Sequence, residues 1–385
     1  MTDTVEEVSI LRSLIHEAHV HLGAQMFVRD GWSIPVSYGD TLFEYAAVRE
    51  AGAGVIDLSP RGRFLVSGSE AVQFLNGLIT NDMKTLAENS WMPAAFPNVQ
   101  GRLIASVRVI RLSDEQPATD KKTFPLFLID TEAATHDRVL KTIERFTLAG
   151  DFRVTDVTNQ TTQIAVTGKN AAQVISEVLG VAASEFASNK AKQITFPKND
   201  VTSNLKILRA THTAEDGFDL IVDAAKANDL WSALLAAGAR PVGYEALEML
   251  RIEAGIPRYG IDMDETNVVT EAGLDDAVSY TKGCYVGQEI IARIKYRGHV
   301  AKRLSGIKFG NAEKVEAGAA IKSEDNKEIG RLTSSTYSPH LGRTIALGYL
   351  KYDYLTLQTG VKIIDGDKEI PAQVAELPFE RTTGL

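Results

Sequence analysis

The spacing of apolar positions changes period several times along the chain. At residues 11–27, Leu11, Leu14, Ile15, Ala18 and Leu22 recur at three and four, which predicts an amphipathic helix ended by the turn-rich segment 29–39. Between Arg63 and Phe146 the period falls to two, and runs such as 63–66 and 103–109 predict strands, with helical runs at 69–78 and 132–148 beside them. The pattern returns at 154–223 with a strand at 163–166, a helix at 170–179 and a strand at 218–222. Two mixed units of helices and strands are therefore expected, although no sequence repeat stands out. Helices are predicted at 224–237 and 244–254, with Gly238 a stop for the first.

Past Arg303 the texture changes to short strands at 304–309, 319–322, 329–334, 344–350 and 361–364, broken by Gly, Asn and Asp. Even spacing with turn signals predicts a separate all-β domain over 303–385, an antiparallel barrel or sandwich. A chain of 385 residues exceeds what one hydrophobic core usually supports, so two or three domains are expected.

Composition narrows the function. Hydrophobic residues at 44% and charged residues at 24% are those of a soluble globular protein. Fifty acidic against forty-one basic side chains give a net charge of -9, which argues against broad binding to nucleic acid or an anionic membrane. A single cysteine excludes an internal disulfide and any four-thiolate metal centre built from one chain. The acidic start at 1–9 lacks the character of a secretory signal, and no apolar run reaches the roughly 20 residues needed to cross a bilayer, so the cytoplasm is the expected location. His16, His19 and His21 lack an Asp or Cys at ligand spacing, so solvated or capping histidines are expected there and no metal.

The lone cysteine stands in Lys282-Gly283-Cys284-Tyr285-Val286-Gly287-Gln288-Glu289. A cation beside a thiol favours the reactive thiolate, which makes Lys282 the expected partner of Cys284. Gly283 and Gly287 permit sharp turns and close approach of a ligand to the backbone. Tyr285, Gln288 and Glu289 add a ring, an amide and a carboxylate. Read by residue type alone, Cys284 is equally a small hydrophobe in a loop.

The K-G-C-Y-x-G-Q-E spacing resembles the signature of the YgfZ-type folate-binding proteins, a branch of the superfamily that includes the T-protein of the glycine cleavage system. Further segments resemble T-protein patterns: Leu22 to Met26 with Gly31 to Pro35, Val55 to Ser59, Thr213 to Asp219, Leu250 to Gly255 with Tyr259-Gly260 and Met263 to Glu265, and Thr333-Ser334 with Ala346 to Gly348. The resemblance covers nearly the whole chain. It implies an α+β protein with a three-domain T-protein-like cloverleaf, in which two mixed α/β domains surround a central folate pocket and a C-terminal antiparallel β-barrel follows. The corresponding division is 1–60 with 151–240, 61–150 with 241–290, and 303–385.

The resemblance also implies tetrahydrofolate or a derivative as ligand, with Asp219 where the superfamily places its pterin-binding glutamate and with Arg251 and Tyr259 in the folate pocket. A carboxylate can accept two parallel hydrogen bonds from adjacent pterin N–H groups. Asp219 shares a strand face with Ile221 and needs a partner if buried. Arg251 falls on the apolar stripe of its helix, where an anion must meet it: a ligand, Glu248 or a structural carboxylate such as Asp219.

Four departures qualify the resemblance: a missing aspartate, His212, Asp219, and Ala214 where T-proteins place a glycine. Transferring T-proteins carry an aspartate after N-x-x-G, whereas here Asn98 to Gly101 leads to Ala105 and Ser106, neither of which carries the charge that acid-base or electrostatic catalysis requires. His212 stands where a tyrosine is common, and Asp219 is one methylene shorter than glutamate. From Lys282 to Arg303, six basic residues face one acid, a surplus suited to a folate polyglutamate tail or, equally, to a solvated strand and linker. The resemblance implies a folate-binding protein that supports iron-sulfur cluster assembly or repair and thereby tRNA modification, with iron-sulfur proteins or assembly factors as partners and Cys284 as working thiol. The alternative is a folate-dependent aminomethyltransferase with a non-standard site. An RNA-binding adaptor, using the basic segment, is disfavoured by the net acidity.

Overall fold

The computed structural model describes residues 10–50, 52–114, 122–186, 189–196 and 203–379; the acidic start at 1–9 lies outside the described residues. Two mixed units are built in the same order: strand, helix, three strands, helix, strand. In one, the antiparallel sheet runs Ser90–Pro97, Leu103–Arg111, Leu126–Thr131, Gly62–Ser67, Arg153–Asp156. In the other it runs Ala191–Phe196, Ser203–Arg209, Gly217–Asp223, Thr161–Thr167, Gly54–Asp57, and Arg240–Pro241 joins the edge in parallel. The likeness extends to a local motif, V-[ST]-G-x-x-A-x-Q, present at Val66 and again at Val166. Gly68 and Gly168 hold φ of 122° and 121° at the equivalent strand-to-helix turns, a region that a side chain rarely adopts.

Each sheet buries one face under its own helices. The helices Ala171–Leu179 and Ala227–Ala236 pack Val174, Ile175, Leu230 and Trp231 onto one sheet, and Ala71–Leu78 and His136–Glu144 pack Leu75, Val139 and Ile143 onto the other. The opposite faces meet through Ile110, Leu128, Leu208 and Ile221, so the central strands of the two units are sealed between layers. Burial of such side chains contributes on the order of 1.5–3 kcal/mol each.

The barrel is closed by six antiparallel strands in the order Lys302–Phe309, Arg343–Lys351, Glu328–Ser338, Ala320–Ser323, Gly360–Asp365 and Lys368–Ala375, around its own core of Ile307, Ile321, Leu332 and Ile363. Closure satisfies every strand edge, which an open sandwich would leave exposed.

Two expected elements differ. The helix expected at 11–27 shortens to His16–His21, flanked by the strands Leu11–Arg12 and Gln25–Arg29. Asp30 and Gly31 both take positive φ, 50° and 78°, in a two-residue turn that pairs Arg29 with Trp32, and the hairpin's cross-strand hydrogen bonds displace the helix. The segment after the signature, expected as strand and linker, contains the helix Gln288–Arg297. Among the described residues no helix is long and apolar enough to cross a membrane.

Candidate functional site

A cavity opens where the two mixed units meet beneath the helix Tyr244–Glu253. That helix presents Tyr244, Leu247 and Arg251 to it from successive turns of one face. The hairpin turn supplies Arg29 and Asp30, the loop before Gly62–Ser67 supplies Pro60 and Arg61, and the end of Leu126–Thr131 supplies Glu132. His212 enters from the turn after Ser203–Arg209, and Arg258 from the segment beyond the roof helix. The 59–61 loop is fixed from behind by Arg63, fully buried, which donates to the carbonyls of Ser59, Arg61, Thr158 and Thr161.

The charges in this wall differ in how completely they are matched. Arg61 donates to Asp130 at 2.7 Å and Arg258 pairs with Glu248. Arg29 is less satisfied: its Nη1 is buried without a hydrogen-bond partner and lies 3.7 Å from Glu248. Among the described residues Glu132 accepts only the backbone N–H of Tyr259, at 3.1 and 3.3 Å, with the Arg258 guanidinium 3.9 Å away. Burial pushes its carboxyl above the ordinary carboxylate range despite Arg61 and Arg258. Tyr244 is held neutral because burial raises its phenol.

The expected ligand residues take other positions. Asp219, on Gly217–Asp223, is fully buried and lies behind His212 instead of facing the cavity. It accepts from Arg108 Nη2 at 2.5 Å, Gln163 Nε2 at 3.0 Å and His212 Nε2 at 3.0 Å. Burial alone would raise its carboxyl, but Arg108 and His212 outweigh burial and hold it far below the usual range. Arg108 also grips Asp130, so one guanidinium ties the two central sheets together.

Arg251 does border the cavity, yet its guanidinium is spent on protein groups: Glu248 at 2.7 Å, Asp262 at 2.5 Å and Ser334 Oγ at 2.8 Å. Ser334 and Thr333 in turn donate to Asp262 at 2.6 Å each. Two of the motif segments, 250–255 and 333–334, thus converge with Asp262 on one bolt between roof helix and barrel. Tyr259, expected in the pocket, instead receives Arg138 at 2.6 Å and donates to Glu265 at 3.1 Å.

The signature loop packs elsewhere. Lys282 is buried and its Nζ donates to the carbonyls of Asn76, Ile79 and Asn81 at 2.7, 2.9 and 2.6 Å, closing the C-terminal end of the helix Ala71–Leu78. Its ammonium is therefore committed to a helix end, where it was expected beside the thiol, and burial pushes it down to about 8. Cys284 is exposed and Tyr285 is buried under the Lys282 ammonium. Gly287, at φ 76°, starts the following helix, and a Cβ there would stand 2.4 Å from the Asn98 carbonyl oxygen. Gln288 is half-buried, Glu289 is exposed and pairs with Arg293 at 3.5 Å, and Gly283 has open space around it. None of the signature residues borders the cavity.

The histidines also differ from expectation. His19 is fully buried and bridges Asp57 at 2.9 Å and the Tyr38 hydroxyl at 2.8 Å. Among the described residues no group of three or more His, Cys, Asp or Glu is placed to hold a metal ion.

Comparison with known proteins places this architecture. A family profile described as "GCVT N-terminal domain" matches residues 15–282, and one described as "Glycine cleavage T-protein C-terminal barrel domain" matches 302–380. The chain belongs to the glycine cleavage T-protein family. It is 30% identical over 384 residues to an aminomethyltransferase of Shouchella clausii, covering 98% of this chain and 100% of that one. An aminomethyltransferase of Thermotoga maritima is 30% identical over 376 residues, with 96% and 98% covered. The crystal structure of the glycine cleavage system aminomethyltransferase T from Bartonella henselae superposes with a TM-score of 0.85 at 24% identity, covering 97% of this chain and 99% of that one, so the T-protein fold extends across the full length.

Residues that the sequence did not single out carry most of the cavity: Arg29, Arg61, Glu132, Tyr244 and Arg258. Arg108 was not singled out either, although a cation alternating with apolar neighbours on a strand is a signal that could have found it.

Proposed function

We propose that this protein binds a reduced folate in the cavity beneath the roof helix and serves a folate-dependent transfer of a one-carbon unit on nitrogen, in the manner of the aminomethyltransferases it resembles. One observation carries this reading: in a T-protein chain, the cavity between the two mixed units combines apolar walls with an arginine whose Nη1 is buried without a hydrogen-bond partner. Ile34, Leu58, Tyr244 and Leu247 offer surface to a flat ring system, and Glu132 offers an acceptor to ring N–H groups. Arg29 fits the carboxylate that a folate carries at its other end. The folate would supply the nitrogen that takes up the carbon unit. Ala105 is buried and Ser106 partly so, and neither offers a carboxylate, so the acid-base group must come from elsewhere in the wall.

Calorimetric titration of tetrahydrofolate into wild type and Arg29→Met tests the reading. Loss of a charge-assisted bond of about 1.5–3 kcal/mol should weaken binding about tenfold or more. No binding to wild type, or equal binding to both, overturns it. Release of methylenetetrahydrofolate from an aminomethyl donor tests the transfer.

Support of iron-sulfur proteins is the second reading, favoured by the exposure of the single thiol. It draws nothing from the names of the relatives. Unchanged iron-sulfur enzyme activity in a deletion strain complemented with Cys284→Ser would end it.

A further inference from the structure

The wall of the cavity contains one side chain whose orientation is dictated from behind. His212 borders the cavity, and its Nε2 lies 3.0 and 3.1 Å from the two oxygens of Asp219. Asp219 is sealed from solvent and held ionised by Arg108, so it can only accept. The proton on that contact must therefore belong to His212 Nε2. In the neutral ring the lone pair then sits on Nδ1, which has no hydrogen-bond partner among the described residues and does not figure among the buried, unsatisfied atoms.

We propose that His212, oriented by Asp219, is the group through which the cavity takes a proton from an N–H donor on its ligand, replacing the carboxylate absent at Ala105 and Ser106. The proton passes from the ligand nitrogen to Nδ1, and the nitrogen keeps the electron pair. The imidazolium so formed retains its Nε2–H bond to Asp219, whose negative charge stabilises the new positive one. The opposite side of Asp219 is occupied by Arg108, which alternates with Ser106 on the same strand face and so fills the seam with a cation.

The other charged groups of the wall do not compete for this role. Arg61 is paired with Asp130, Arg251 with Glu248 and Asp262, and Arg258 with Glu248. Arg29 remains a cation, Tyr244 is neutral, and Asp30 lies in the hairpin turn at the rim. Glu132 is the remaining titratable group, and its oxygens accept a backbone amide on the far side of the cavity wall's 132–133 turn. It serves as a ligand acceptor; no side chain behind it dictates where a proton sits, as Asp219 does for His212.

The inference rests on the cavity being the ligand site of the folate reading, and the test separates the two. Nitrogen-15 histidine NMR of the ligand-free protein should show His212 as the Nε2–H tautomer with an unprotonated Nδ1. Asp219→Asn should redistribute the tautomers. Release of methylenetetrahydrofolate from an aminomethyl donor should fall about tenfold or more in His212→Gln, while tetrahydrofolate affinity in calorimetry stays within about twofold; the Gln amide still donates to Asp219 and preserves the seam. An Nδ1–H tautomer, or a release rate unchanged in His212→Gln, overturns the inference. The Nε2–H tautomer with no tetrahydrofolate binding upholds the dyad and overturns the folate reading instead.

Discussion

The seam around Asp219 and the loop around Lys282 both bury a charge, and they neutralise it by different means. In the seam, Asp219 and Asp130 meet Arg108, Arg61 and His212, so charge answers charge. In the loop, the Lys282 ammonium meets three backbone carbonyls and no carboxylate within bonding range among the described residues. The first arrangement leaves a histidine ring bordering a cavity; the second leaves a thiol on the surface and a helix end sealed. A motif rich in reactive residue types can thus be a fastening, while chemistry collects where ion pairs are left incomplete.

Removing the cation of the seam should have the largest effect. Arg108→Met strands two buried carboxylates and is expected to cost about 3–5 kcal/mol in urea unfolding. A cost near zero would mean that the seam is held by its apolar contacts alone. Lys282→Met leaves three carbonyls without a donor and is expected to cost about 1–3 kcal/mol. The rate at which Cys284 reacts with a thiol reagent should not change, and a fall in that rate would restore the lysine as partner of the thiolate.

Smaller effects sharpen the comparison with pH. Glu132 has its folded value raised, so the fold binds a proton there that the unfolded chain releases. The associated stability is complete below the unfolded carboxylate pKa and is lost as pH rises through the raised value. Glu132→Gln should accordingly gain thermal stability on wild type at pH 8 relative to pH 4; an equal difference at both would show the carboxyl to be unperturbed. Cys284→Ser, on the surface, is expected to change stability by no more than about 0.5 kcal/mol.

Elements with a long, regular period were legible in the sequence. The helix Tyr244–Glu253, the strand Leu103–Arg111 and most strands of the barrel announce themselves through alternation or helical spacing, and the two mixed units were expected from it. The hairpin at Asp30-Gly31 was missed because exposed Leu11, Leu14 and Leu22 mimic a helical stripe, although an Asp-Gly pair between short strands is itself a hairpin signal. The repeat of V-[ST]-G-x-x-A-x-Q was equally present and is obscured by the divergence of everything around it. At the site, motif spacing drew attention to Asp219, Arg251 and Cys284. It could not reveal that Arg108 and His212 complete Asp219, or that Ser334 and Asp262 complete Arg251, because each partner arrives from a distant part of the chain.

The roof helix is gripped from both sides. Glu253 receives the Tyr45 hydroxyl at 2.7 Å and Arg49 at 2.6 Å from one neighbour and the Ser338 hydroxyl at 2.5 Å from the barrel, two residues after Arg251 meets Ser334. Severing the chain ahead of the barrel would strip hydroxyl donors from Glu253 and Asp262 at once and loosen the helix over the cavity. The barrel is therefore a buttress of the cavity roof, and a shortened version of the protein would fail at a place the cut never touches.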